Sequence, residues 1–407
     1  MKLLYIVDGR SPIALNWISH FILGGHEVHL VSTYPCAAVE GVASQYIIPM
    51  ALSSLYAQTS PLGGERSAWL RRLLPVRVRT AIRQMAAPLS FPQAITRLQG
   101  IIGRVQPELI HAMRIPYEGV LTAEALRRTF ISDRDARRIP LLVSVWGNDF
   151  TLHAEASKMM AEQTQQVLQA CNALHTDCQR DQRLATEWGF EPQKPRIVLP
   201  GGGGVQVDVF QPSGADRGQS LGNAPFTILN PRGFRTYVQN DTFFQSIPMV
   251  IERHREVRFI CTGMLGEGQA HAWVQELGIQ DKVELLPVQP RLQMAELFRQ
   301  AQISLSITTH DGTPNTLLEA MACGCFPIAG DIESIREWIV PGLNGMLIDP
   351  GDPVALASAI VEAINHPEIR AHGKEMNLKQ VMERGEYRQC MQAAEAFYHQ
   401  LILNFNQ

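Results

Sequence analysis

The chain has 407 residues, of which 45% are hydrophobic and 18% are charged, and its formal net charge is −3. This length predicts two domains of about 150–200 residues each, and the composition excludes a disordered chain. The small negative charge argues against a general nucleic-acid-binding protein.

No apolar run reaches about 18 residues, so we expect no membrane-spanning helix. The apolar run at residues 3–7 stops at Asp8, which indicates a buried first strand and not a signal peptide. The 7 cysteines lack the spacing of a disulfide framework or of a zinc site and fit a reducing compartment. We therefore expect a cytoplasmic protein without a bound metal.

The first half of the chain alternates short apolar strands with helical patterns, which predicts a parallel α/β sheet. The strands are expected at 3–7, 27–32, 108–111, 141–145, 173–176 and 196–199. The Gly-x-Gly-x-x-Gly fingerprint is absent, so a nicotinamide or flavin enzyme gains no support. Gly9 follows the first strand, where it either lets the backbone approach a ligand or makes a tight turn.

Residues 61–86 are rich in arginine and contain a single acid, Glu65. The spacing is compatible with a basic amphipathic helix broken near Pro75, which predicts peripheral contact with an anionic membrane through residues 66–83. The alternative is a surface helix whose arginines are solvated. The arginines are Arg66, Arg71, Arg72, Arg77, Arg79 and Arg83.

Asp149 follows the strand at 141–145, directly after Trp146, Gly147 and Asn148. Ligands of open α/β sheets bind at the carboxyl ends of the strands, so Asp149 is a candidate site residue. An Asn-Asp pair is also ordinary turn chemistry, and this alternative stays open.

A run of glycines at 201–204 and a polar loop at 211–223 mark a domain boundary. We expect two doubly wound, Rossmann-like α/β domains that face a central cleft. The N-terminal domain is predicted at 1–204, the linker at 205–224 and the C-terminal domain at 225–386. The last helix, within 387–407, is expected to pack back onto the first domain.

The stretch from 303 to 324 has the pattern of a strand, a polar turn and a helix. Pro314 suits the first helical position and Thr313 its cap. The apolar stripe at 317–322 continues the helix, and Gly324 suits its end. The amides of 315–317 would then be free at the positive end of a helix, which favours an anion such as phosphate.

Charged residues surround this predicted anion site. Asp311 precedes the helix and Glu319 lies within it, while Arg232 and Arg235 follow the strand at 226–229. Guanidinium groups suit a diphosphate, and a carboxylate suits the hydroxyls of a ribose or a sugar. Together they predict a pocket for a nucleotide-diphosphate sugar. Taken singly, each of these residues can also be a solvated surface charge.

Residues 310–331 resemble the acid, seven residues, Glu pattern of the retaining GT-B glycosyltransferases, notably glycosyltransferase family 4. The similarity continues through 337–348 and is weaker elsewhere in the chain. It implies transfer of a hexose from a nucleotide-diphosphate sugar to a glycan, glycolipid or related acceptor, as in polysaccharide biosynthesis. The resemblance also implies retained configuration, no cofactor and no metal.

The resemblance assigns roles to individual residues. Glu319 would bind the donor ribose, Asp311 the transferred sugar and Arg232 the phosphates. Val288, after the strand predicted at 283–286, would lie near the base, and Gly263, after the strand predicted at 257–261, is a further candidate for donor binding. The backbone of the turn and helix start would hold sugar and phosphate through Gly312, Thr313, Pro314, Asn315, Thr316 and Leu317.

The chain departs from the family pattern at several positions. The first acid is Asp311 where glutamate is usual, and the usual lysine after the phosphate arginine is missing, with Arg235 as its candidate substitute. Trp146 and Met113 replace family histidines. Two alternatives therefore stay open, a nucleotide-sugar epimerase on the same fold and a non-catalytic relative that binds sugar nucleotides.

Overall fold

A computed structural model describes residues 1–50, 76–132, 138–213 and 225–405, with the backbone alone for 76–90 and 132. The chain divides into two compact units, Met1–Gly203 with Met391–Gln407, and Gly204–Cys390. Much of the arginine-rich segment, including Arg66, Arg71 and Arg72, and half of the predicted linker lie outside the described residues.

The first unit contains a seven-stranded parallel sheet with the order β3-β2-β1-β4-β5-β6-β7. The order changes direction at β1, so the gap between the loops after β1 and β4 is the position where such sheets bind ligands. Its strands are β1 (Lys2–Val7), β2 (Glu27–Ser32), β3 (Ser44–Ile47), β4 (Leu109–Met113), β5 (Leu141–Val145), β6 (Ala173–Thr176) and β7 (Arg196–Val198).

Helices connect these strands and cover the sheet. The helix that follows β1 begins after Ser11, whose side chain accepts a hydrogen bond from the Ala14 amide. Pro12 lies in the first turn of this helix. A π-type turn at Ile115–Gly119 precedes the helix that follows β4, and this helix begins at Val120. The helices are α1 (Pro12–Leu23), α2 (Val76–Val105), α3 (Val120–Ser132), α4 (Lys158–Ala170) and α5 (Gln179–Glu187).

The second unit contains a six-stranded parallel sheet with the order β10-β9-β8-β11-β12-β13. The strands are β8 (Phe226–Asn230), β9 (Val257–Cys261), β10 (Val283–Leu285), β11 (Ile303–Ser306), β12 (Phe326–Gly330) and β13 (Met346–Ile348). Their helices are α6 (Asn240–Arg253), α7 (Gly268–Glu276), α8 (Arg291–Gln300), α9 (Asn315–Cys323), α10 (Pro353–Asn365) and α11 (Pro367–Arg384). The predicted pair of Rossmann-like α/β domains is confirmed.

The last helix, α12 (Tyr387–Phe405), contributes a buried tyrosine to the core of the first unit. The Tyr398 hydroxyl accepts a hydrogen bond from the Trp17 indole at 3.0 Å and bonds to His111 Nδ1 at 2.5 Å. On the same helix, the Glu395 carboxylate bonds to His20 and His26. The helix is thus attached to the first unit by polar as well as apolar contacts.

The hydrogen bonds of Tyr398 continue across the sheet. His111 Nε2 bonds to the Ser144 hydroxyl, which bonds in turn to His175 Nδ1, each at 2.7 Å. These residues stand on the neighbouring strands β4, β5 and β6. Burial lowers the pKa of His111 well below its usual value and that of His175 to about 4, so both rings are neutral at pH 7. This network therefore satisfies buried polar groups without burying charge.

No helix in the described part of the chain has both the length and the apolar composition needed to cross a membrane.

Tyr398→Phe is expected to lower the free energy of unfolding of the first unit by about 1–3 kcal/mol, because the buried Trp17 N–H and His111 ring each lose a partner. Urea unfolding measures this difference. Tyr46→Phe is the control, since no hydrogen bond of the Tyr46 hydroxyl to a described residue is found, and it is expected to change stability by less than about 0.5 kcal/mol. Equal stability of the two variants would contradict the proposed role of the Tyr398 hydroxyl.

Candidate functional site

The loop after β8 is held against the segment after β11. The Gln239 amide donates to the Ile307 carbonyl at 3.0 Å, and the Thr309 amide donates to the Tyr237 carbonyl at 2.9 Å. Because β8 and β11 are neighbours in the parallel sheet, both loops leave the same edge of the sheet. This arrangement brings Arg232 to the acid that follows β11.

Arg232 and Asp311 form an ion pair, with 2.8 Å between Arg232 Nη2 and Asp311 Oδ2, and both side chains are largely buried. Burial lowers the pKa of Arg232, but the nearby Asp311 and Tyr237 outweigh it and leave that pKa above its usual value. The Asp311 carbonyl also accepts a hydrogen bond from the Ser334 hydroxyl at 2.7 Å. The carboxylate and its loop are therefore fixed in position.

Arg235 does not join this pair. Its side chain is exposed, and its guanidinium donates to the adjacent Phe234 carbonyl at 2.8 Å. The structure therefore brings one of the two predicted arginines to Asp311.

The helix start differs from the prediction. Helix α9 begins at Asn315, so Pro314 is its N-cap and not its first helical residue. Thr313 was predicted to cap the helix, but its hydroxyl accepts a hydrogen bond from the Trp338 indole at 3.1 Å, and no side chain caps the helix. The Leu317 amide was predicted to be free, but it donates to the Pro314 carbonyl at 3.0 Å.

The amides of Asn315 and Thr316 remain available, because no hydrogen bond from either amide to a described residue is found. The hydroxyl of Thr316 is buried and likewise lacks a partner in the described chain. Uncapped amides at the first turn of a helix attract anions. The turn that leads to them contains the buried Gly312.

Glu319 lies on the same helix face as Asn315 and Thr316, because residues three and four apart share a face. It is partly buried, and no hydrogen bond or ion pair to its carboxyl group is found among the described residues. Burial raises its pKa to about 7, although Arg291 acts in the opposite direction. A carboxyl group that lacks a partner and has a raised pKa is a candidate for ligand contact.

Gly263, after β9, has φ of +71°, a value that favours glycine. Its amide donates to the Pro287 carbonyl at 3.2 Å, which brings it beside Val288. A Cβ atom on Gly233 would lie 3.4 Å from the Gly263 carbonyl oxygen, so the loops after β8 and β9 are in close contact. The Val288 side chain is 83% exposed and offers an apolar surface at this edge.

In the first unit, Asp149 is buried and both of its carboxylate oxygens have partners. Oδ1 accepts from Arg114 at 2.7 and 3.1 Å, and Oδ2 accepts from the amides of Trp146 and Ile115 at 3.2 and 3.3 Å. Because β4 and β5 are neighbours, these bonds join the loops that follow them. Asp149 thus fixes the position of other groups, and its side chain is 0% exposed.

Gly9 is packed inside the protein. Its amide donates to the Ser32 hydroxyl at 2.9 Å, and a Cβ atom there would lie 2.6 Å from Cys36 Sγ. The close approach of Ser32 and Cys36 accounts for a glycine at this position without a ligand.

A cavity of about 210 Å³ lies at the carboxyl ends of β1, β4 and β5, and our sequence analysis missed most of its lining. Arg114, Tyr117 and Glu118 could have been found by their position after β4, a strand end at which no candidate residue was predicted. Of the non-glycine residues with positive φ in the described chain, Gln106, Arg114 and Tyr117, the last two line this cavity. Backbone strain of this kind concentrates at functional sites. The side chains that define the cavity are Asp8, Tyr34, Arg114, Tyr117, Glu118 and Trp146.

The raised pKa of Glu319 predicts a pH dependence of stability. Between pH 4.5, its ordinary pKa, and about 7, the folded protein binds a proton that the unfolded chain releases. Stability therefore falls as the pH rises through this window and levels off above it. Glu319→Gln is expected to be more stable than the wild type at pH 8, by up to about 3 kcal/mol, and equal to it near pH 4.

Urea unfolding at pH 4, 6 and 8 measures this difference. The control is Glu362→Gln on the exposed face of α10, for which we expect no comparable change. A stability difference between Glu319→Gln and wild type that stays constant across the pH range would contradict the assignment.

Two family models match the chain. Residues 10–201 match the Glycosyl transferase 4-like domain, and residues 233–366 match Glycosyl transferases group 1. Among curated proteins, the D-inositol 3-phosphate glycosyltransferase of Thermobispora bispora is 25% identical over 190 residues, 44% of each chain. The corresponding protein of Thermobifida fusca is 28% identical over 203 residues, 46% of each chain. The chain thus matches about half the length of these curated relatives.

Solved structures resemble the protein over nearly its whole length. Sucrose-phosphate synthase of Thermosynechococcus elongatus has a TM-score of 0.72 at 14% identity and covers 99% of this chain and 100% of its own. Anabaena HepE in complex with UDP has a TM-score of 0.70 at 16% identity, with 97% and 99% covered. At such identities the likeness concerns the fold. The two family models, which together match most of the sequence, confirm the predicted family: the chain belongs to glycosyltransferase family 4.

Proposed function

We propose that the protein transfers a hexose from a nucleotide-diphosphate sugar to a hydroxyl of a glycan, glycolipid or related acceptor. The second unit binds the donor and the first unit binds the acceptor. The observation that carries this proposal is the pairing of Arg232 with Asp311, together with a following helix whose first amides and Glu319 have no hydrogen-bond partner among the described residues. These groups match, in kind and order, what a diphosphate and a ribose require.

The positive groups act on the departing nucleotide. As the bond between sugar and diphosphate breaks, negative charge grows on the phosphate oxygens. Arg232 and the amides of Asn315 and Thr316 are already in position to stabilise that charge, so they contribute more in the transition state than in the ground state. This arrangement supports a reaction without a metal, because fixed cations and amides supply the positive charge.

The carboxylates orient the two ends of the donor. Glu319 accepts hydrogen bonds from the ribose hydroxyls, and binding them favours its ionised form. Asp311 accepts a hydrogen bond from a hydroxyl of the sugar. Its side chain is one methylene shorter than the glutamate usual in the family, and the ion pair with Arg232 holds it in one orientation. We propose retention of configuration, with the acceptor hydroxyl attacking from the face that the nucleotide leaves.

Gly263 and Val288 complete the donor site on its nucleotide side. The glycine lets two loops approach closely, and the exposed valine packs against the base. HepE was solved with UDP and with UDP-glucose, so UDP and its sugars are the first donors to test.

Donor binding is expected to raise the melting temperature of the wild type, because a ligand that binds only the folded state stabilises it by RT ln(1 + [L]/Kd), about 2.7 kcal/mol at a hundred times Kd. A thermal-shift screen of UDP, GDP, ADP and their sugars identifies the donor. Glu319→Ala and Arg232→Ala should abolish the shift, whereas Arg253→Ala, an exposed arginine at the end of α6, should keep it. An unchanged shift in Glu319→Ala would contradict the donor site.

The same screen separates the alternatives. A nucleotide-sugar epimerase would isomerise the bound sugar without an acceptor, and a non-catalytic relative would bind the donor without turning it over. Nucleotide release that requires an added acceptor supports transfer. The anomeric configuration of the product tests retention.

We also propose that the basic segment 66–83 contacts an anionic membrane at its cytoplasmic face. Its arginines are attracted to negative headgroups, and its apolar residues enter the interface. Co-sedimentation with liposomes of phosphatidylglycerol should fall in a variant with Arg71, Arg72 and Arg77 changed to glutamate. A control with the exposed Lys158, Arg253 and Lys379 changed to glutamate carries the same change in net charge and should keep more binding. Equal loss in both variants would leave only a net-charge effect and would contradict the segment's role.

A further inference from the structure

The cavity at the carboxyl ends of β1, β4 and β5 has a chemical character that the donor site does not share. Its volume of about 210 Å³ is below the 300–1,000 Å³ of typical pockets for whole small molecules, so it suits one ring-sized unit. Three aromatic residues line it, Tyr34, Tyr117 and Trp146. The indole N–H of Trp146 is buried and has no hydrogen-bond partner in the described chain. An apolar wall with a few polar groups fits a hydroxylated ring.

The cationic group of the cavity is already neutralised. Arg114 donates through Nε and Nη2 to the buried carboxylate of Asp149 and through Nη2 to the side-chain oxygen of Asn148. Its guanidinium also lies over the Trp146 ring, with 5.3 Å between Arg114 Cζ and the ring centroid. An arginine that recognises phosphate presents its paired N–H groups to the ligand. Here that edge is turned to Asp149.

The neighbouring Arg10 is neutralised in the same way. Its Nε and Nη2 donate to the two carboxylate oxygens of Asp8 at 3.0 and 2.9 Å. Its guanidinium lies 3.5 Å from the centroid of the Tyr34 ring. Arg10 therefore brings no uncompensated positive charge to this cavity.

The start of α1, which also reaches the cavity, offers little to an anion. Pro12 has no N–H, and the Ala14 amide is capped by the Ser11 hydroxyl. The Leu15 amide donates to the Ser11 carbonyl. The first turn of this helix is thus largely satisfied within the protein.

Two acids line the cavity, and one of them, Asp8, is the partner of Arg10. Glu118 lines the cavity, is 3% exposed, and accepts a hydrogen bond from the Thr33 hydroxyl at 2.5 Å. His153 is the other basic side chain in the lining. A phosphate placed here would face the Glu118 carboxylate, and like charges repel. Hydroxyl groups, in contrast, donate to carboxylates.

We infer that this cavity binds an uncharged, hydroxyl-rich sugar or polyol ring and rejects its phosphate esters. The inference rests on the proposed transfer to an acceptor hydroxyl and names the chemical class of that acceptor. It separates this chain from the relatives described as D-inositol 3-phosphate glycosyltransferases, with which it shares about a quarter of its residues over half its length. Here Glu118 and Asp8 accept hydrogen bonds from the ring hydroxyls, and the aromatic residues pack on its apolar face.

The test measures binding and needs no turnover. Saturation-transfer NMR gives Kd values for matched pairs, myo-inositol with D-inositol 3-phosphate and methyl glucoside with glucose 6-phosphate, together with methyl galactoside and methyl mannoside. At least one neutral compound should bind, and its phosphate ester should bind at least about tenfold more weakly. Equal or tighter binding of the ester, or no binding of any neutral compound, would overturn the inference.

Glu118→Gln tests the cause of the discrimination. The glutamine amide keeps an acceptor for Thr33 but removes the charge, so the difference between the neutral compound and its ester should shrink severalfold. Glu108→Gln, just before the amino end of β4, is the matched control and should leave that difference unchanged. If Glu118→Gln fails to fold, the paired measurements on the wild type still decide the proposal.

These results are independent of the donor screen. Absence of a donor shift together with selective binding of a neutral sugar would contradict the proposed transfer and leave the cavity assignment intact. A thermal shift with a donor together with tighter binding of the phosphate ester would support the proposed transfer and contradict the cavity assignment.

Discussion

The ion pair between Arg232 and Asp311 joins the loops that follow two neighbouring strands, β8 and β11. The first unit contains the same device, since Arg114 and Asp149 join the loops after the neighbouring strands β4 and β5. In a parallel sheet these loops leave the same edge, and a charged hydrogen bond between their side chains helps to fix their relative position. Each candidate site is built around such a pair.

The two pairs differ in exposure, and this difference gives them different roles. The Asp149 side chain is 0% exposed and has hydrogen-bond donors on both oxygens, whereas the Asp311 side chain is 17% exposed. A buried and fully bonded carboxylate holds loops in place but offers nothing to a ligand. The partly exposed Asp311 carboxylate can hold its loop in place and also contact a ligand. Asp149, which the sequence singled out as a contact, is therefore better described as the residue that positions Arg114 and Trp146.

The predictions from sequence succeeded where the determining interactions are local. Strand and helix periods, the turn at Gly324 and the alternation of elements depend on neighbouring residues, and they were sufficient for the two Rossmann-like domains. The start of α9 was misplaced because Thr313 has a distant partner, Trp338, which no local pattern reveals. Similarly, the packing of Ser32 and Cys36 against Gly9, and the burial that raises the pKa of Glu319, arise only once remote segments meet.

The charges of the two sites are complementary to different parts of the proposed reaction. In the second unit, Arg232 and the uncapped amides of α9 favour the diphosphate. In the first unit, Arg114 and Arg10 are both paired with acids, and Glu118 adds a buried carboxylate. A nucleotide diphosphate would be repelled from the first site for the same reason that a phosphorylated acceptor would be. Arg10 and Arg114 each donate to an acid through both Nε and Nη2, whereas Arg232 donates to Asp311 through Nη2, and this difference supports a diphosphate in the second unit and an uncharged acceptor in the first.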